Sequence, residues 1–136
     1  MPDVLTLVLA QLSPRLRHTK ANLETMGRIV AEHPEADLVI FPELFLSGYT
    51  LSDIDELAVQ MDSPELERIT GMARENSTAL IFGAPERICG GIANSAFCVD
   101  EQGTIAAVYR KVQLYGEKRA RPSSRATTCS SWSSAG

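Results

Sequence analysis

The chain lacks several features that would place it outside the ordinary soluble enzymes and binding domains. No apolar run approaches the roughly 18–20 residues that a membrane-spanning helix needs. Met1-Pro2-Asp3 leads directly into an apolar stretch with no basic segment before it, so no secretory signal is expected. A basic excess is also missing: 13 Lys and Arg stand against 17 Asp and Glu, for a net charge of −4. That balance argues against a nucleic-acid binder. There are only three cysteines, Cys89, Cys98 and Cys129. Their odd number and their spacing match neither a disulfide framework nor a metal site. The expectation is a cytoplasmic protein with reduced thiols. No internal repeat is visible.

What is present is an ordinary globular composition, 44% apolar and 22% charged, in 136 residues, enough for one domain. The charge is uneven. Residues 1–116 carry a net of −7, and residues 117–136 a net of +3. The last 18 residues also hold six serines and two threonines. The composition therefore divides the chain into residues 1–118, a folded part, and residues 119–136, a Ser/Arg-rich tail expected to be disordered.

Apolar patterning predicts an α/β order. Val4–Leu12 reads as a strand buried on both faces. Thr19 is placed to cap a helix over about Lys20–Glu32, with Leu23, Met26 and Val30 as its apolar stripe and Pro34 as its stop. Ala36–Phe41 is a second buried strand, closed by Pro42. Asp53–Met61 reads as a short helix, and Ser63-Pro64 opens another with the stripe Leu66, Ile69, Met72 and Ala73. Thr78–Gly83 is a third strand. Gly90-Gly91 turns between Glu86–Cys89 and Ile92–Val99, and Thr104–Val112 is the last strand. The order begins with parallel crossovers and ends in antiparallel ribbons.

Two positions stand out chemically. Glu43, directly after a buried strand, sits where open α/β sheets place their ligands. On spacing alone it reads as a solvated loop carboxylate; the alternative is that its apolar neighbours Phe41, Leu44 and Phe45 desolvate it and raise its pKa toward that of a working base. In Tyr109-Arg110-Lys111, alternation puts Tyr109 and Lys111 on one face and Arg110 on the other. An inward lysine needs a partner, and it can stabilise a developing oxyanion; the alternative is a strand-end lysine reaching water. Asp53 and Asp55 are helix-start acids that could also approach a cationic group, and Tyr49 is either pocket or core.

VLTLVLAQL, a helix containing Asn22, ADLVIFPELFLSGY, LIFGAPER, IANSAFCVDEQG and TIAAVYRKVQLYGE follow one another in that order over about residues 4–118. Together they resemble the nitrilase, or carbon–nitrogen hydrolase, superfamily. The resemblance implies a four-layer α-β-β-α sandwich, here incomplete, and a Glu-Lys-Cys mechanism on a small amide, carbamoyl or nitrile substrate. In that mechanism a thiolate attacks the carbon, the glutamate moves protons and the lysine stabilises the oxyanion. Glu43 matches the glutamate and Lys111 the lysine. The resemblance also implies a homo-oligomer and no cofactor.

The nucleophile is not carried over. The family's cysteine follows an apolar strand and precedes an acid, and Cys129 in Thr-Thr-Cys-Ser-Ser-Trp has neither. Cys89 and Cys98 precede the lysine and read as small buried or edge thiols. Glu117 is the candidate for the family's second glutamate. A reading-frame shift near codon 118 is one account of the change of composition, and a genuine Ser/Arg-rich extension is the alternative. Read one frame over, Thr128 to Trp132 yields four codons with a central T if the serines use TCN, and such codons always encode apolar residues. The shifted frame permits PGDDVFVVELGG, a strand and turn. The expectation is an inactive hydrolase fragment; the alternative is a non-catalytic binding or regulatory module that keeps half a pocket.

Overall fold

The computed structural model describes residues 3–111. Their elements are β1 (Leu7–Leu9), α1 (Thr19–Glu32), β2 (Leu38–Ile40), α2 (Ile54–Leu57), α3 (Pro64–Asn76), β3 (Ala79–Ile88), β4 (Gly91–Val99) and β5 (Ile105–Arg110). The strands form one sheet in the order β1-β2-β3-β4-β5. β1, β2 and β3 run parallel, joined by crossovers through α1 and through α2 and α3. β3, β4 and β5 are antiparallel neighbours joined by tight turns. The change from parallel to antiparallel falls where the sequence predicts it.

One face of the sheet holds the core. Val39, Leu80, Phe82, Phe97 and Val99 point to it and are buried. α1 brings Leu23, Met26 and Val30 against them, and α3 brings Leu66, Ile69, Met72 and Ala73. The Phe82 and Phe97 rings lie stacked across β3 and β4 with centroids 5.2 Å apart. This pair joins the parallel half of the sheet to the antiparallel half.

The opposite face is open. Register carries Leu9, Ile40, Ile81, Cys98 and Ala107 across it, and Leu7 and Leu38 beside them. Leu9 is 63% exposed and Tyr109 64%. The expectation that Val4–Leu12 is buried on both faces is therefore corrected. Only Leu7–Leu9 pairs as a strand, and Val8 alone of the three turns partly inward. The apolar run was read correctly as sheet, but the described helices cover a single side.

Other boundaries also move. Thr19 is the first residue of α1, and His18 holds the cap position without a side-chain hydrogen bond. Asp53–Met61 contributes only the single turn Ile54–Leu57. β3 does not end at Gly83 but runs unbroken to Ile88. Its far edge is satisfied piecemeal, which is why a strand this long persists beyond short β2. The Phe41 amide donates to Ile81 O at 2.8 Å, the Leu46 amide to Gly83 O at 3.2 Å and the Val59 amide to Pro85 O at 2.9 Å. The expected boundary at residue 118 and the tail lie outside the described residues.

The two faces should respond differently to mutation. Phe82→Ala should lower stability by about 3–5 kcal/mol through cavity formation. Leu9→Gln, on the open face, should change it by about 0.5 kcal/mol or less. Urea unfolding of both variants checks this, and equal losses would mean that the open face is covered in solution.

Candidate functional site

Glu43 and Lys111, 68 residues apart in sequence, meet at the open face. Lys111 Nζ donates to Glu43 Oε1 at 2.8 Å. Asn94 Nδ2 donates to the same oxygen at 2.6 Å. Asn94 belongs to β4 and Lys111 follows β5. The Lys111 amide donates to Asn94 O at 2.8 Å, so backbone pairing aligns the two donors. Asn94 was missed in the sequence, although it stands in the quoted IANSAFCVDEQG segment. The signal available was register: a residue directly opposite Lys111 on the neighbouring strand shares its face.

Glu43 is carried by a turn pressed onto the sheet. Leu44, the next residue, adopts φ +51°, a left-handed conformation uncommon for a non-glycine residue. Gly83 lies directly beneath. A Cβ added there would stand 2.3 Å from Leu44 N and 2.8 Å from Glu43 Cα. Glycine at 83 is what lets the backbone bearing the carboxylate rest on β3. Three further bonds secure the turn. Asn22, buried in α1, donates through Nδ2 to Leu46 O at 2.9 Å. The Arg17 amide donates to Ser47 O at 2.7 Å, and the Gly48 amide to Leu44 O at 2.8 Å. The asparagine within the quoted motif order therefore has a physical role: it ties α1 to the glutamate turn.

Of the two readings of Glu43, the structure overturns desolvation and a raised pKa, and agrees with a solvated loop carboxylate. Phe41, Leu44 and Phe45 are buried, with the Phe41 and Phe45 rings 5.1 Å apart, but they point into the core. The Glu43 side chain is about half exposed, at 50%. Hydrogen bonds from Lys111 and then Asn94 hold its carboxyl below the usual glutamate range, and these outweigh the small effect of burial. The carboxylate is ionised at neutral pH. The arrangement can therefore accept a proton at Glu43 and present a cation and an amide donor beside it.

The remaining candidates lie elsewhere. Asp53 pairs with Arg17, and Asp55 lies 3.8 Å from Arg87. Asp53 holds the cap position of α2 and Asp55 its first turn, as helix-start acids do. Tyr49 is exposed. Cys98 lies on β4 four residues from Asn94, roughly 13 Å away at about 3.3 Å per residue. Cys89 lies in the β3–β4 turn. Neither cysteine adjoins Glu43. Cys129 and Glu117 lie outside the described residues. Among the described residues, no cluster of His, Cys, Asp and Glu could hold a metal ion, and no helix is long and apolar enough to cross a membrane.

Glu43, Asn94 and Lys111 thus set a carboxylate, an amide and an ammonium together on the open face of an α/β sheet. The family model for carbon-nitrogen hydrolases matches residues 6–133, and the chain belongs to that family. The match extends past residue 118, into the segment that composition sets apart. A hydrolase from the pqqF 5′ region of Pseudomonas protegens is 37% identical over 114 residues, which are 82% of this chain and 40% of that one. An (R)-stereoselective amidase from a Pseudomonas species is 32% identical over 124 residues, 88% of this chain and 45% of that one. The crystal structure of an amidase from Nesterenkonia sp. superposes with a TM-score of 0.71 at 31% identity, over 83% of this chain and 44% of that one. The fold is thus part of the nitrilase-type α-β-β-α sandwich, and the chain spans less than half the length of these relatives.

Two substitutions test the geometry. Lys111→Met should move the Glu43 titration midpoint upward, as followed by carboxyl-carbon NMR. Gly83→Ala should lower stability by about 1–3 kcal/mol through overpacking and release the Glu43–Lys111 bond. The pH dependence has a fixed sign. A depressed carboxyl contributes stability above about pH 4.3, and this contribution disappears as pH falls through Glu43's own lower midpoint. Lys111→Met should flatten that acid limb, and an unchanged limb would remove Glu43 from the explanation.

Proposed function

We propose that Glu43 and Lys111 are the proton-transfer and oxyanion-stabilising residues of a carbon-nitrogen hydrolase acting on small amides or nitriles. The observation that carries this reading is their shared hydrogen bond at 2.8 Å, formed by the two residues that the family resemblance singles out. Membership of the family and relatives named as amidases, nitrilases and formamidases support it. A structure of the Nesterenkonia amidase has acrylamide added at its active-site cysteine, and another holds butyramide. A cysteine nucleophile and a small acyl substrate are the corresponding expectations here.

On this reading Glu43 takes the thiol proton as the sulfur attacks the substrate carbon. The carbonyl oxygen gains charge and draws on the Lys111 ammonium. As Lys111 turns toward that oxygen it releases Glu43, whose basicity rises when it must hold the proton. Glu43 then passes the proton to the leaving amine and later activates water for release of the acyl group. Asn94 keeps the carboxylate oriented while Lys111 is engaged elsewhere.

The described residues supply the base and the cation, with no cysteine beside them. Because Cys129 has neither the apolar strand before it nor the acid after it that the resemblance calls for, the 136-residue chain by itself is expected to be inactive. Ammonia release from butyramide, measured on the purified chain, should be absent. Resequencing the coding DNA from codon 110 to beyond the stop should reveal a shifted frame that encodes an apolar strand, a cysteine and an acid. Protein made in that frame should hydrolyse amides and lose about 10²–10⁴-fold in rate with Glu43→Gln and about 10²–10³-fold with Lys111→Met. Turnover by the 136-residue chain that survives Glu43→Gln would overturn the assignment.

A further inference from the structure

Glu86 and Arg110 take no part in this chemistry, yet Glu86 is the only charged residue in the core of the described structure. Its side chain is 3% exposed. Arg110 Nε donates to Glu86 Oε2 at 2.8 Å, and an Arg110 terminal nitrogen donates to Oε1 at 2.7 Å. Ser95 Oγ donates to Oε2 at 2.6 Å. The three residues come from β3, β4 and β5, so the cluster crosses three strands on the core face.

We propose that Arg110 is a positioning residue for Lys111: clamped to Glu86 and Ser95 on the core face, it fixes the end of β5 so that the next side chain meets Glu43 on the opposite face. The proposal rests on Lys111 being a site residue.

Register makes the argument. Ser95 pairs with Arg110, the last residue of β5, and the Lys111 amide makes the next bond, to Asn94 O. In the described sheet β5 is an outer strand, held through β4 alone. The Arg110 guanidinium reaches past β4 and ties β5 to β3. Slippage by one residue would move every side chain of β5 to the other face. Lys111 would then turn to the core face, and Arg110, now half exposed but bonded to Glu86, would lose that carboxylate. An ammonium cannot reproduce the planar fork that Arg110 offers to both oxygens of Glu86. Burial disfavours the Glu86 carboxylate, and the bonds from Arg110 and Ser95 overcome that, holding its carboxyl below the usual range. Glu86 thus requires an arginine on the core face, and the pleat then requires Lys111 on the other. A β-bulge at Cys98/Val99, where Ala106 is the extra residue, shows that β5 does not keep a uniform register along its whole length. A lock at its far end is therefore informative.

The test is the Glu43 midpoint in the 136-residue chain by carboxyl-carbon NMR, a readout that needs no turnover. Its upward shift in Lys111→Met is the reference for complete loss of the pair. Arg110→Ala should recover roughly half of that shift or more, and Arg110→Lys should lie between it and the parent. Glu86→Gln, which keeps one acceptor oxygen but sets an amide donor against the Arg110 fork, should lie between the parent and Arg110→Ala. A structural role alone would lower the urea midpoint in Arg110→Ala and leave Glu43 titrating as in the parent, and that result overturns the proposal. If Arg110→Ala does not fold, Arg110→Lys decides: a raised Glu43 midpoint supports the lock, and a parental one refutes it. If Lys111→Met itself leaves Glu43 unmoved, the reading of the site fails first, and it does so independently of Arg110.

Discussion

The site depends on the closeness with which the Glu43 turn approaches β3. The backbone of Glu43 and Leu44 lies directly over Gly83, at separations that leave no room for a Cβ. That contact sets the height of the carboxylate above the sheet. Lys111 and Asn94 are fixed to the same sheet by the β3–β4–β5 ladder. Because both sides of the site are referred to one rigid surface, an ion pair between residues 68 positions apart needs no loop to find it. The left-handed Leu44 and the bonds from Asn22, Arg17 and Leu46 are the local conditions that hold the turn against Gly83.

The sheet has two chemically different sides. The helix side is a packed aliphatic and aromatic core, and the other side combines exposed leucines with the Glu43–Asn94–Lys111 cluster. Apolar residues alternating on both sides of β1 and β2 are the pattern of strands meant to be covered twice. The described chain covers them once. Within a four-layer sandwich the second sheet would meet this open side, and the cluster would then lie at the seam between the sheets. There, water is reduced and fixed charges act over low-dielectric surroundings. The half-exposure of Glu43 goes with a sheet covered on one side only.

Much of this was legible in the residues. Helix stripes, the parallel-to-antiparallel change and the opposed faces of Arg110 and Lys111 all follow from period and alternation, and the structure agrees with them. The length of β3 was not legible, because Gly83 and Pro85 read as strand breakers. They are tolerated because Glu43–Leu46 and Val59 complete that edge from outside the sheet. The Glu43 environment was not legible for a related reason. Adjacency in sequence does not decide between a desolvated and a solvated Glu43; the turn decides it, sending Phe41 and Phe45 inward and the carboxylate outward. Asn94 needed a register, which spacing within one strand does not contain.

Magnitudes decide what holds the strand end in place. An exposed ion pair such as Glu43–Lys111 is worth about 0–1 kcal/mol, less than the roughly 1–2 kcal/mol needed to fix the backbone of one residue. The pair therefore cannot order the end of β5 by itself and must be delivered ready-made. The Glu86–Arg110 pair lies in a different regime. Glu86 is 3% exposed while Arg110 is 52% exposed, so removing the arginine leaves a buried carboxylate without its main donors, at a cost of at least about 1–3 kcal/mol. The pair's value lies in excluding the wrong register more than in net stability. The buried Glu86 carboxylate can supply, through Arg110, the constraint on the end of β5 that the exposed Glu43–Lys111 pair lacks.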